Sequence, residues 1–94
     1  MKVKKKVIIE KRKDKEDIQE IYSAANKTMF FVGGDIWHVY LTKNRNFLLV
    51  PSFSENVFLC ETKHDVIKLF KKMYYFSIDP TLTFYEKLSS LERW

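Results

Sequence analysis

Apolar residues in the first quarter of the chain indicate a strand followed by a helix. Residues 3–10 mix a short apolar run with lysines, which predicts an edge strand whose charges discourage aggregation. Residues 14–25 then carry apolar side chains three and four positions apart, and Asp14 can cap their first turn. This spacing predicts an amphipathic helix with one buried stripe. The stripe consists of Ile18, Ile21, Tyr22 and Ala25.

The middle of the chain changes to a two-residue period, which is typical of strands. Residues 29–32 lead into Gly33-Gly34 and then into a second alternating run over 36–42. A Gly-Gly pair between two such runs predicts a two-residue hairpin, because the favoured hairpin turns need positive φ. Two further runs, 47–50 and 57–61, are separated by Pro51 and a polar loop. The short connections predict an antiparallel meander.

Two helices are predicted at the end of the chain. Thr62, followed by Asp65, resembles a capping box, and Asp79-Pro80 is typical of a helix start. The first helix is expected to bury Val66, Ile67, Phe70, Met73, Tyr74 and Ile78 and to expose His64, Lys68, Lys71, Lys72 and Tyr75. The second is expected to bury Phe84, Leu88 and Leu91.

These elements predict one α+β domain over residues 1–94, in the order β-α-β-β-β-β-α-α. Its mostly antiparallel sheet has four or five strands, and the helices pack on one face. The apolar fraction of 46% is high enough to form a core. The longest apolar run near the N-terminus is shorter than a signal peptide or a membrane span requires. With a single cysteine, this favours a reduced, cytoplasmic protein without a membrane partner.

Positive charge is concentrated at the N-terminus. Residues 1–15 have a net charge of +6, whereas residues 16–94 have a net charge of −1. We expect this basic strip to steer an acidic partner, whether protein or nucleic acid. Its candidate contacts are Lys4, Lys5, Lys6, Lys11, Arg12 and Lys13. The excess of lysine over arginine, with few Ala, Gly and Pro residues, is typical of proteins encoded by AT-rich genes. Small genes of phages and mobile elements are often of this kind.

Residues that could perform catalysis are few. One cysteine and two histidines do not supply the closely spaced ligand pairs of a zinc site, and Cys60 is expected to be an inert core thiol. The tripeptide Glu61-Thr62-Lys63, with Asp35, resembles the divalent-ion motif of restriction-enzyme-like nucleases. Such a short match is mostly accidental, and Lys63 is better explained as an early helix residue. We therefore expect no enzyme activity, metal or cofactor.

A second basic site is predicted on the first C-terminal helix, where Lys68, Lys71 and Lys72 share a face with Tyr75. Lysines bind phosphates without reading sequence, and an aromatic ring can stack on a base. The order of elements over residues 14–78 resembles the double-stranded-RNA-binding domain. The stretch that matches its basic run, KHDVIK at 63–68, lacks the second Lys and the Ala and contains an Asp. The resemblance is therefore confined to element order.

The chain contains fifteen aromatic residues, more than a core of this size is expected to bury. If one face of the sheet is free of helices, it is expected to expose a contact surface. The candidate contact aromatics are Trp37, Tyr40, Phe53 and Phe58, with His38 nearby. The resulting hypothesis is a non-enzymatic modulator or inhibitor that occludes a host protein or a protein–nucleic acid complex. Direct nucleic-acid binding and a homo-oligomer are the alternatives.

Overall fold

Five antiparallel strands and two helices make up the part of the chain that the computed structural model describes, which is residues 7–11, 26–42 and 44–93. The elements are β1 (Val7–Lys11), β2 (Asn26–Val32), β3 (Asp35–Leu41), β4 (Phe47–Pro51), β5 (Asn56–Cys60), α1 (Lys63–Met73) and α2 (Thr81–Glu92). The strands form one sheet in the order β1-β5-β4-β3-β2. This confirms the predicted α+β class. The helix predicted over 14–25 lies outside the described residues.

The turn between β2 and β3 shows why both glycines of the chain occur there. Gly33 has a φ of 59° and Gly34 a φ of 86°, so both adopt the left-handed conformation that a two-residue hairpin requires. Gly33 has a second constraint, because a Cβ at this position would overlap the ring of Tyr74. The turn therefore fixes the register of β2 on β3 and also makes room for a side chain from the end of α1.

The main core lies between one face of the sheet and the two helices. Alternating strand residues point towards α1 and α2, whose buried residues belong to the same cluster. Phe70 lies at its centre, with ring centroids 5.1 Å from Trp37, 5.6 Å from Phe30 and 5.4 Å from Phe84. These tilted and edge-on contacts are the favoured geometries for aromatic pairs and add to the burial of apolar area.

The opposite face of the sheet differs from the exposed aromatic surface that the sequence predicted. Leu48, Val50 and Val57 are buried there within the single chain, and Tyr40 packs half-buried against this second cluster. Trp37 instead belongs to the helix-covered face. The sheet therefore does not present the open aromatic face that the sequence suggested, and these buried residues do not require a second copy to cover them.

Helix α1 begins where the sequence predicts, but it ends earlier than predicted. Thr62 Oγ1 accepts a hydrogen bond from the Asp65 backbone N–H at 3.1 Å, as the capping motif predicts. The helix then ends at Met73, and Tyr74 has an extended backbone. The prediction that one helical stripe buries both Met73 and Ile78 is wrong, because both side chains are exposed.

Tertiary hydrogen bonds explain the early end of α1. The Tyr74 hydroxyl accepts a hydrogen bond from Trp37 Nε1 at 2.8 Å and donates one to Asp35 Oδ2 at 2.7 Å. Its ring lies against Gly33, so leaving the helix at Tyr74 connects α1 to the β2–β3 hairpin. Burial raises the pKa of the Tyr74 hydroxyl, and its hydrogen bond from Trp37 partly opposes that rise.

Helix α2 begins one residue later than expected, so Asp79 lies one position before the N-cap and not at it. Asp79 Oδ1 accepts hydrogen bonds from the Thr81 backbone N–H at 3.0 Å and from the Thr81 hydroxyl at 2.6 Å. Pro80 occupies the N-cap position and is not the first helical residue. None of the helices in the described ranges is both long and apolar enough to cross a membrane.

Candidate partner-binding surface

The most exposed apolar side chains of the described residues include a group at the junction of α1 and α2. Tyr75 is 91% exposed, Ile78 82%, Leu82 71% and Tyr85 41%. We call these four residues the corner surface. Exposed apolar residues that occur singly are common, but a local group of them is typical of an interaction site.

The local sequence explains why these side chains point outward. In the loop after α1, Tyr74 and Phe76 turn inward and contact each other at 6.4 Å between ring centroids, and Phe76 also meets Phe84 at 5.8 Å. Tyr75, which lies between them, is left outside. In α2 the inward face is set by Phe84 and its stripe, and Leu82 lies about 200° away from Phe84 around the helix. The fold therefore has no inward position for Leu82.

Two open clefts give the corner surface its shape. One has a volume of about 410 Å³ and is lined by Tyr75, Phe76, Pro80 and neighbouring residues. The other has a volume of about 360 Å³ and is lined by Leu82 and Tyr85 among others. Asp79 lines both clefts, so they lie side by side at the start of α2.

Asp79 also holds the loop and α1 together. Its Oδ1 lies 3.0 Å from Lys71 Nζ, in addition to the two hydrogen bonds from Thr81. These bonds from Thr81, followed by that from Lys71, lower the pKa of the carboxyl to about 2. Asp79 is therefore ionised at any physiological pH, and it neutralises one of the three lysines predicted to form a basic face.

The other two lysines of that face remain available. Lys68 and Lys72 are exposed on α1 one turn apart, and neither forms an ion pair in the part of the chain that the structure describes. Lys63, at the start of the same helix, is engaged: its Nζ lies 2.9 Å from Glu92 Oε1 and 5.0 Å from the Tyr85 ring centroid. The helix thus presents two exposed lysines that have no anionic partner among the described residues.

The aromatic residues predicted from the sequence have different environments. Trp37 is 0% exposed and donates its indole N–H to Tyr74, so the prediction that it contacts a partner is wrong. Phe58 is half-buried against the same core, and Tyr40 is half-buried on the other face. Phe53 is exposed in the β4–β5 loop, where its ring makes an edge contact with Trp37 at 5.6 Å. The alternating pattern of β3 separated its side chains into two faces of the sheet, but it did not show which face packs against the helices.

All but one of the candidate contacts in the basic strip lie outside the described residues. Lys4, Lys5, Lys6, Arg12 and Lys13 all fall there. The backbone of Lys11 is described at the end of β1, where it pairs with Asn56 of β5. The role assigned to these residues stays a prediction.

Two of the residues considered for catalysis, Cys60 and Asp35, have structural roles in the fold. Cys60 is a buried thiol whose pKa is raised to about 12, first by burial and then by the charge of Asp65. Asp35 accepts the hydrogen bond from Tyr74. Among residues 7–11, 26–42 and 44–93, no group of three or more His, Cys, Asp and Glu side chains is placed to hold a metal ion.

Three of the four corner residues were not predicted from the sequence. Ile78 was assigned to a buried stripe, and Leu82 and Tyr85 were not considered. The signal was present for the last two, because both are apolar yet lie off the stripe formed by Phe84, Leu88 and Leu91. Tyr75 was predicted, as part of a site for nucleic acid or an acidic partner.

Comparison with known proteins adds no relative: no family model, curated protein or solved structure matches this chain.

Proposed function

We propose that this protein is a non-enzymatic binding protein that acts stoichiometrically, by occluding a surface of a host protein or protein–nucleic acid complex through the corner surface. The lysine-rich composition supports the further proposal that it is a phage- or mobile-element-encoded modulator of its host. In this mechanism aromatic and aliphatic side chains anchor the partner, and basic residues accelerate the encounter.

The observation that carries the proposal is the exposure of Tyr75, Ile78 and Leu82. Tyr75 and Leu82 each line one of two clefts that share Asp79. Tyrosine is enriched at interfaces because a large ring contributes contact area with little loss of conformational entropy. Ile78 and Leu82 contribute little to the core from such exposed positions, so their burial against a partner would be a gain not realised in the free protein.

Direct nucleic-acid binding by the lysines of α1 is the alternative. The Lys71–Asp79 ion pair weakens it, because phosphate affinity depends on the number of positive charges that replace counterions. Two free lysines and one exposed tyrosine offer a small site. If that alternative holds, binding to RNA or DNA falls steeply with salt and is lost in Lys68→Glu/Lys72→Glu.

Site-specific photocrosslinking in the cell that naturally encodes the chain tests the proposal. Benzoylphenylalanine is placed at Tyr75 or Tyr85, and at Glu55 in the exposed β4–β5 loop as the matched control position. We expect both corner positions to form an adduct with the same protein and Glu55 to form none. The purified complex should contain the two proteins in a fixed ratio.

Two outcomes contradict the proposal. Adducts of equal intensity from all three positions would show that capture is not specific to the corner surface. Many product molecules formed per molecule of purified protein would show that it is an enzyme.

A further inference from the structure

Building on the proposed function, we infer the chemistry of the partner: an acidic protein segment with two apolar side chains. The apolar side chains occupy the two clefts on either side of Asp79, and the carboxylates face Lys68 and Lys72 of α1.

The dimensions of the clefts indicate side chains as their occupants. Volumes of about 410 and 360 Å³ are near the lower limit for small-molecule sites, and both clefts are open to solvent. Their apolar walls come from Tyr75 and Pro80 on one side and from Leu82 and Tyr85 on the other. Because the clefts are adjacent, two apolar residues of one segment can fill both.

The free charges around the corner surface are distributed asymmetrically. On the α1 side, Lys68 and Lys72 are exposed and form no ion pair within the described ranges, whereas Lys71 is paired with Asp79. On the α2 side, Glu86 is exposed directly after Tyr85, whereas the two nearby lysines are engaged, Lys63 with Glu92 and Lys87 with the Met29 carbonyl. Carboxylates of a partner are therefore attracted towards α1, and a basic partner in the same orientation is repelled. The charges select both an acidic partner and its direction across the surface.

The outer edge of β2 is a weaker docking surface. Phe31 is exposed there, and an edge strand can pair with an added strand. However, the Met29 backbone carbonyl already accepts a hydrogen bond from Lys87 Nζ, and that ammonium also lies 4.8 Å from the centroid of the Phe30 ring. An added strand would have to displace Lys87. A charge at an edge is also a common protection against such pairing.

Fluorescence anisotropy with the whole chain tests the inference. The probe is a labelled synthetic peptide with two leucines four positions apart and glutamates elsewhere, and the matched probe has lysine in place of each glutamate. We expect the glutamate peptide to bind at least about tenfold more tightly at low salt, since like charges disfavour the other. The double variant Lys68→Glu/Lys72→Glu should reverse this preference.

Two further variants separate the apolar contribution from charge. Leu82→Ser should weaken the glutamate peptide about tenfold, because it removes the wall of one cleft. Phe31→Ser is the matched control, since Phe31 is equally exposed but lies on β2, and it should leave affinity unchanged. Circular dichroism of each variant confirms that it is folded.

Several results would overturn the inference. These are equal affinity for both peptides, affinity that falls in Phe31→Ser but not in Leu82→Ser, and binding of RNA in place of either peptide. A dimer lost in Leu82→Ser would identify a second copy as the occupant. Absence of peptide binding with corner crosslinks intact would reject the acidic segment but retain the proposed function, and loss of both would reject both.

Discussion

Tyr74 and Tyr75 are adjacent in the chain, yet they belong to two regions of opposite character. Tyr74 points into an aromatic cluster and hydrogen-bonds to Trp37 and Asp35. Tyr75 points into solvent and lines a cleft with Pro80. The comparison shows that aromatic content alone does not reveal a contact surface in this chain, because the point at which α1 ends decides which rings stabilise the fold and which remain available.

The first prediction concerns the centre of the cluster. Phe70→Ala removes a fully buried ring that contacts Trp37, Phe30 and Phe84, and should lower the free energy of unfolding by about 3–5 kcal/mol. Tyr75→Ala should change it by less than ~0.5 kcal/mol. Urea denaturation of both variants measures the contrast, and similar losses in the two would remove the distinction between the regions.

The second prediction compares the two glycines of the hairpin. Gly33→Ala should cost roughly 2–4 kcal/mol, because it combines a left-handed backbone with overlap against the Tyr74 ring. Gly34→Ala should cost roughly 1–2 kcal/mol, since its φ is also positive but no described residue lies within reach of the new methyl group. In a Tyr74→Ala background the two costs should become equal; a persistent difference would argue against the steric explanation.

The third prediction isolates the hydrogen bonds of Tyr74. Tyr74→Phe retains the ring but leaves the indole N–H of buried Trp37 without its acceptor, which should cost about 1–3 kcal/mol. Tyr75→Phe is the matched control and should be neutral, because that hydroxyl belongs to a side chain almost entirely in solvent. Thermal and chemical denaturation provide the measurement, and equal stability of the two variants would contradict the proposed role of these bonds.

Structural features that depend on residues close together in the sequence were predictable, whereas features that depend on distant residues were not. Thr62 and Asp65 are three residues apart, and Gly33-Gly34 forms its turn locally, so the start of α1 and the hairpin were predictable. The end of α1 was not predictable, because it depends on hydrogen bonds between Tyr74 and two residues distant in the sequence, Trp37 and Asp35. A helical pattern that continues to Ile78 contains no trace of those bonds.

The candidate surface was only partly predictable for the same reason. Alternation in β3 separates Trp37 from Tyr40, but which of them faces the helices depends on tertiary packing. Lys71 likewise belongs to a basic face by its helical position, whereas its pairing with Asp79 depends on how the following loop folds back.

The fourth prediction concerns alkaline pH and again separates the buried region from the exposed one. The pKa of Cys60 is raised from 9.0 to about 12 in the fold, so the native state retains a proton that the unfolded chain loses. The contribution of Cys60 to stability should therefore be constant below about pH 9 and fall as pH rises towards 12, by roughly 1 kcal/mol per pH unit. The raised pKa of Tyr74 adds a loss of the same sign. Cys60→Ala should reduce that slope to the part that comes from Tyr74, whatever its effect at neutral pH. An unchanged slope would reject this origin.

The smallest expected effect on stability is at the corner surface. Ile78→Ser and Leu82→Ser should each change the free energy of unfolding by less than ~0.5 kcal/mol, because both side chains are already largely in solvent. A loss above about 2 kcal/mol in either would place that residue in the core.

The most direct test of the distinction combines both substitutions with crosslinking in the cell. The chain carries benzoylphenylalanine at Tyr75, with or without Ile78→Ser/Leu82→Ser, and both adduct and soluble protein are quantified. We predict that the double variant remains as abundant and as stable as its parent but loses the adduct. An adduct of undiminished intensity in a stable, abundant double variant would contradict the assignment of the corner surface as the binding site.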